Sequence, residues 1–390
     1  MKSVLVVAFA VTVLVLATRP LWWPEPGEPP PAPEPAAKTT AAPGPVAADP
    51  AATRRLLQHY EQFNEPEALE AALTQAGAVL RRDARSLPGW LALGRARDAM
   101  QQFERARRVY ARARSIAPGV AAAELAAGDT WLAQGDLAAA LPHMLRASAE
   151  APGELESASR ILLLSNALED FAAADRWAEW LSERVTRQAD ALAALAHHRY
   201  LTGNFDQAVQ LSNIALRLGL SDRWDAEAVF LRIKRDEAIA DGQFARAIDL
   251  LRERHPELFE PGPRIVPGNI QQATDLAFLM QQTGAGDEAR ALLNRVVEAY
   301  GQPGFTNGSA RSVILPVRAE ALALLGEDRA ALAELDRVVD AGWRIQWRWE
   351  TDLNANFITL RDAPGFRRII GRIEADVADQ RRRLHASGGT

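Results

Sequence analysis

The sequence predicts an all-α protein in which helix pairs stack into a superhelical solenoid. From residue 51 onward apolar residues recur at helical spacing, and small residues recur every 34 residues. Gly135 and Gly203, for example, stand two such intervals apart. A single helix pair cannot bury its own apolar face, so a regular array of pairs predicts stacking. Four consecutive units share one frame: Leu87–Val120, Ala121–Glu154, Leu155–Gln188 and Ala189–Asp222.

The unit Leu87–Val120 carries the most complete pattern. Gly94, Ala106 and Ala113 are small where two antiparallel helices would touch, and a proline would end the second helix. The pattern resembles the tetratricopeptide repeat (TPR), a helix–turn–helix unit of 34 residues, with Arg97 in place of its usual tyrosine. Positions 4, 7, 8, 20, 24, 27 and 32 hold Trp90, Leu93, Gly94, Ala106, Tyr110, Ala113 and Pro118.

The remainder of the repeat region follows this frame less strictly. Helices over Arg54–Phe63 and Glu67–Arg82 are expected to form a degenerate first pair. After residue 222 the spacing loosens, because proline- and glycine-rich loops over Glu260–Asn269 and Gly301–Ser309 interrupt it. We therefore expect about eight helix pairs over residues 51–340, the last three of them irregular.

Residues 1–23 have the composition of a membrane anchor or a signal peptide. The apolar run Val4–Ala17 would rise about 21 Å as a helix, less than the roughly 30 Å of a hydrocarbon core. A longer helix would have to include Arg19 and Pro20. In one interpretation the segment is an uncleaved anchor, with the arginine and two following tryptophans at the membrane boundary. In the other it is cleaved after Ala17.

Either interpretation sends the rest of the chain out of the cytoplasm. We expect a single-pass inner-membrane protein with its TPR domain in the periplasm, or a protein secreted to the periplasm after cleavage. Residues 24–50 are rich in proline, alanine, glutamate and glycine, a composition that cannot form a core. They are predicted to be a disordered linker that reaches up to about 80 Å.

Residues 341–390 depart from the repeat and are expected to cap the solenoid. Trp343, Trp347 and Trp349 would cover the exposed end of the stack, and a final helix over Arg367–Leu384 would present a charged outer face. The alternative interpretation of the three tryptophans is an aromatic patch for a ligand.

The last third of the chain also carries a more specific resemblance. Its motifs are His255-Pro-Glu-Leu-Phe, the helix pair around Gly326, Ala341-Gly-Trp-Arg, and Leu360-Arg-Asp-Ala-Pro-Gly-Phe before an arginine-rich helix. They are similar to the C-terminal half of CadC-like transmembrane regulators and of TPR-bearing adenylate cyclases. In those proteins an output domain precedes the membrane helix. Here three residues precede Val4, so we expect the TPR region without a DNA-binding or cyclase domain.

Composition and motifs give no sign of catalysis. The net charge of −5 does not suit a nucleic-acid binder, and the absence of cysteine excludes disulfides and thiolate metal sites. The nucleotide-binding, zinc-protease and hydrolase motifs are missing. His197 and His198 are adjacent, so on a helix they point about 100° apart and cannot chelate one ion. We assign no catalytic, cofactor or metal residues and expect a protein that is not an enzyme.

The concave groove is the predicted binding surface. In TPR folds, positions 2, 5, 9, 12 and 13 of the first helices line this groove, and their mixture of apolar and polar side chains here suits a peptide. The groove has no lysine, so we do not expect the carboxylate clamp of chaperone-binding TPR domains. The predicted lining residues are Leu91, Arg95, Asp98, Leu125, Asp129, Leu132, Ser159, Leu163, Asn166, His197, Tyr200 and Leu201.

These observations predict a non-enzymatic, membrane-tethered TPR scaffold that binds a protein or peptide, and no nucleic acid, outside the cytoplasm. The alternative is a sensory or ligand-binding module derived from a CadC-like regulator that lacks its DNA-binding domain.

Overall fold

A computed structural model describes residues 49–220, 224–306 and 316–386. The predicted anchor or signal segment, residues 1–23, and nearly all of the predicted linker lie outside these residues. Among the described helices, none combines the length and the apolar character needed to cross a membrane.

The described residues form α-helices and two short 3₁₀ helices, Pro256–Phe259 and Ala355–Phe357, joined by turns and loops, with no β-strand among them. The predicted all-α TPR solenoid is confirmed. Helices α1 to α16 follow one another as pairs, and the first helix of a pair also contacts the first helix of the next. In chain order, α1 to α18 span Pro50–Phe63, Pro66–Arg82, Leu87–Ala99, Phe103–Ile116, Ala121–Leu132, Leu137–Glu150, Leu155–Ala167, Phe171–Ser182, Ala189–Leu201, Phe205–Arg217, Trp224–Ala240, Phe244–Arg254, Ile270–Gln282, Gly286–Tyr300, Val317–Leu324, Asp328–Asp340, Trp347–Glu350 and Pro364–Ala386.

The contact between the two helices of a pair is the one that the small residues predict. A Cβ atom on Gly94 of α3 would lie 2.2 Å from the ring of Tyr110 on α4. In the same way, a Cβ atom on Gly128 of α5 would lie 2.6 Å from Cε of Met144 on α6. Tyr110 cannot easily move, because it is 1% exposed and its hydroxyl donates a hydrogen bond to Asp98 at 2.8 Å.

Replacing Gly94 with alanine is expected to lower the unfolding free energy by about 1–3 kcal/mol, since the added methyl group overlaps a fixed tyrosine ring. Gly371→Ala is the matched control. This helical glycine of α18 has open space around its Cβ position. At this position alanine should raise the unfolding free energy by about 0.5–1 kcal/mol through helix propensity alone. Urea unfolding measures both, and equal effects would contradict the close approach of α3 and α4.

The first helices of the central pairs are buried on nearly all sides. In α7 every residue from Ser157 to Ala167 is buried, whereas α8 buries only Ala174, Ala178 and Leu181. A helix on the outside of a solenoid needs one apolar stripe, so the contrast shows that the inner face of α7 is also covered.

The covering element is the chain's own C-terminal region. The Trp347 indole donates to the carbonyl oxygen of Ala167 at 3.3 Å, and Trp349 stacks on His197 and Tyr200 of α9 at 4.5 and 4.7 Å. Helix α9 belongs to the fifth pair, so these tryptophans lie inside the superhelix and not at its end. The expectation that they cover the end of the stack is wrong in this respect, because the chain turns back after α16.

The beginning of the described chain meets its later loops. The Asn64 side chain donates to the carbonyl oxygen of Pro303 at 3.3 Å, and the Gly268 amide donates to Gln62 at 3.2 Å. Arg264 pairs with Glu65 at 3.3 Å. We call this contact between the end of α1 and the loops that follow α12 and α14 the seam.

Candidate functional site

The structure buries most of the predicted groove residues. Arg95, Asp98, Asp129 and Leu201 are half-buried. The other eight are buried: Leu91, Leu125, Leu132, Ser159, Leu163, Asn166, His197 and Tyr200. On α3 and α5 only the three ionisable members reach the surface, because the leucines of these helices are buried. On α7 and α9 every member except Leu201 lies under other side chains.

The part near α3 and α5 is a row of ionisable groups. Asp98 accepts hydrogen bonds from Tyr110 at 2.8 Å and from Thr130 at 3.1 Å. Burial raises its pKa to about 8, so this carboxyl group is mostly protonated at neutral pH. Burial also raises the pKa of Asp129, although this carboxylate pairs with Arg160. Arg95 of α3 lies beside these carboxyl groups and is also half-buried.

The part near α7 and α9 is closed by internal contacts. Asn166 Oδ1 lies 3.0 Å from His198 Nδ1, which fastens α7 to α9. His197 is fully buried under Trp349, and Gln346 Nε2 lies 3.2 Å from its Nδ1. Burial lowers the pKa of His197 well below its ordinary value, so the ring is neutral. A partner cannot reach these positions while the C-terminal region stays in place.

Deeper in the superhelix lies a buried charge cluster, which sequence reasoning missed. Its centre is Arg232 of α11, which is 0% exposed. The guanidinium donates to Glu320 at 2.8 Å and to Glu350 at 3.2 Å. It also pairs with Asp275 at 3.0 Å. The inner charge cluster, as we name it, consists of Arg232, Arg235, Asp236, Asp275, Glu320 and Glu350.

This cluster contains four carboxyl groups and two guanidinium groups, so its net charge depends on how many of the carboxyl groups are protonated. Burial raises the pKa of Asp236 to about 7 and that of Glu350 well above its ordinary value. Burial alone would also raise the pKa of Glu320, but the charge of Arg232 and the Asn356 side chain lower it overall. The cluster therefore binds protons near neutral pH and joins α11, α13, α15 and α17.

A pocket of about 330 Å³ opens at the seam. The buried side chains of Ile265, Val266 and Phe305, which we call its base, line it together with Phe63 at the end of α1. Its polar lining is supplied by Asn64, Arg264, Arg295, Glu298 and Gln302. Nothing in the sequence pattern indicates this pocket, because its lining residues come from separate loops and helix ends. Within the described ranges, no three His, Asp or Glu side chains are arranged to hold a metal ion.

Comparison with known proteins yields structural similarity only. No family model matches the chain, and no curated protein matches it. A TPR protein from Parabacteroides merdae ATCC 43184 is 16% identical, with a TM-score of 0.44 over 65% of this chain and 94% of that one. The Cut9–Hcn1 heterotetramer of the APC/C is 13% identical (TM-score 0.48), covering 73% of this chain and 48% of the other, about half its length. Pseudomonas aeruginosa PilF is 18% identical, with a TM-score of 0.40 over 55% of this chain and 95% of that one.

Proposed function

We propose that this TPR solenoid is a non-enzymatic scaffold that is tethered to a membrane and binds a protein or peptide outside the cytoplasm. Stacked helix pairs present an extended concave surface, which is the way such solenoids bind partners. The apolar run Val4–Ala17 and the proline-rich residues 24–50 support tethering, since they have the composition of an anchor and a spacer.

One observation carries the proposed binding surface: Arg95 and Asp98 of α3 and Asp129 of α5 are only half-buried, whereas the inner face of α9 is covered by Trp349. The pKa of Arg54 on α1 is lowered, mainly by burial and next by the nearby charge of Arg95. Asp98 is mostly protonated at neutral pH and Asp129 is paired with Arg160. Arg54 and Arg95 thus bring two guanidinium groups to this surface, and an acidic peptide segment would complement them.

Arg95→Glu is expected to reduce recovery of the partner from crosslinked, solubilised membranes at least tenfold, because it reverses the charge that meets the acidic segment. Arg108→Glu is the matched control, since Arg108 is an exposed arginine of the neighbouring helix α4. Both variants should keep the wild-type circular dichroism spectrum. Unchanged recovery with Arg95→Glu would remove the α3–α5 surface from the proposal.

The proposed location is tested separately. The full chain should sediment with inner membranes after a carbonate wash and be digested by protease added to spheroplasts. If the segment is instead cleaved after Ala17, the mature chain will be periplasmic and its mass will show the loss. Recovery in the cytoplasm would contradict both forms of the proposal.

A second candidate function is a sensory module that binds a small ligand, and the seam pocket favours it. The same purified chain should then show a ligand-dependent rise in melting temperature, because a ligand that binds only the folded state stabilises it by mass action.

A further inference from the structure

The seam pocket combines segments that are far apart in the sequence. Phe63 and Asn64 come from the end of α1, Arg264 from the loop after α12, and Arg295 and Phe305 from α14 and the turn after it. Its volume of about 330 Å³ lies near the lower end of the range for small-molecule sites, about 300–1,000 Å³. A small molecule in this pocket would contact both sides of the seam.

The charge of the pocket indicates what it could bind. Arg295 is exposed, and its guanidinium lies beside Gly262, where a Cβ atom would be 2.9 Å from Nη2. It forms no ion pair with any described residue, not even with Glu298 three positions later. Arg264 by contrast pairs with Glu65, whose other oxygen lies 2.7 Å from His59. Arg264 is therefore engaged by Glu65, whereas the N–H donors of Arg295 form no ion pair with a described residue and can bind a ligand.

We propose that the seam pocket binds a small organic carboxylate, with the carboxylate on Arg295 and a short apolar part over the buried base. A guanidinium offers two parallel N–H donors that match the two oxygens of a carboxylate. Ile265, Val266 and Phe305 are each at most 8% exposed, so the base is fixed and mostly covered. The room left above it suits a short chain or a single ring.

The bound carboxylate also fastens the seam. The direct contacts there include hydrogen bonds of 3.3 Å from Asn64 to Pro303 and 3.2 Å from Gly268 to Gln62, and the ion pair of Arg264 with Glu65. A ligand that touches Phe63 on one side and Arg295 on the other binds only when both sides are together. By mass action it therefore increases the population in which α1 is docked. The pocket would act as a sensor whose output is the position of the first helix pair.

The test uses the full chain and isothermal titration with free carboxylates from acetate to decanoate, together with benzoate and phenylacetate, each against its own amide. At least one acid should bind more tightly than its amide by about tenfold to a hundredfold, the worth of a hydrogen bond to a charged group. Arg295→Gln should remove that difference. Arg290→Gln, an exposed arginine on the same helix outside the pocket, should keep it.

Hydrogen exchange measures the coupling. The amides of α1 should exchange more slowly with the best acid than with its amide, and Arg295→Gln should abolish the difference. The proposal is overturned if every acid binds like its amide, or if Arg290→Gln weakens binding as much as Arg295→Gln. Acid binding without slower exchange in α1 would overturn the sensor role. The α3–α5 surface takes no part in these measurements, so they succeed or fail independently of the scaffold.

Discussion

Replacing Arg232 with methionine is expected to lower the unfolding free energy by about 3–5 kcal/mol, the cost of removing one partner from a buried ion network. The reason is the charge left behind. Glu320 and Glu350 are both 0% exposed. Both accept hydrogen bonds from the guanidinium group of Arg232. Methionine fills similar volume, so the loss reports the charge more than the packing. Urea unfolding measures it.

Arg382→Met is the control for this prediction. Arg382 pairs with Asp379 at 3.1 Å, but both side chains are more than half exposed, so the pair should be worth at most about 1 kcal/mol. Adding Glu320→Gln to Arg232→Met should recover part of the loss, since it removes a buried negative charge that has lost its partner. Equal losses for the Arg232 and Arg382 variants would show that the inner charge cluster does not hold the C-terminal region in place.

The repeats could be predicted from the sequence because their determinants are local. Gly94 and Tyr110 are 16 positions apart within one helix pair, and each following unit restates the contact at a fixed interval. Position within the repeat also predicted that His197 and Tyr200 of α9 lie on the inner side of the stack. It could not identify what covers them. Trp349 reaches these residues only because the chain turns back after α16, and no periodicity encodes that turn.

The inner charge cluster was out of reach for the same reason. Arg232 meets Glu320 and Glu350 from 88 and 118 positions away. In the sequence each of these charges resembles an ordinary solvated residue on a helix face, and only the packing of four helices separates them from water. The seam pocket likewise depends on the loops after α12 and α14, where the repeat is interrupted and its rules do not apply.

The stability of the protein is expected to fall as the pH rises from about 4 to about 8. Burial raises the pKa of Asp98 to about 8 and those of Glu156 and Asp236 to about 7, whereas in the unfolded chain they ionise near pH 4. Between these values the folded state binds more protons than the unfolded state, so the unfolding free energy decreases with pH. Their stabilisation is complete below pH 4 and is lost as each carboxyl group ionises in the fold.

Each such group contributes a slope of at most about 1.4 kcal/mol per pH unit. Glu124 acts in the opposite direction, because hydrogen bonds from His143 and Arg114 outweigh its burial and lower its pKa to about 2. Its contribution is present above pH 4 and is lost only as the pH falls toward 2. Buried His197 also acts in the opposite direction, because its pKa in the fold is lowered by burial, so its contribution to stability rises with pH up to about 6.5, its unfolded pKa. The decline is therefore expected to be clearest between pH 6.5 and 8.

Asp98→Asn tests this assignment, because asparagine resembles the protonated carboxyl group and can still accept from Tyr110 and Thr130. Urea midpoints measured from pH 5 to 9 should decline less steeply in this variant than in the wild type, and the two curves should diverge most toward pH 8. Asp379→Asn, at an exposed position of α18, should leave the slope unchanged. A wild-type midpoint that rises through this range, or one slope shared by all three proteins, would mean that Asp98 is ionised in the fold and that the α3–α5 surface carries less positive charge than the acidic partner requires.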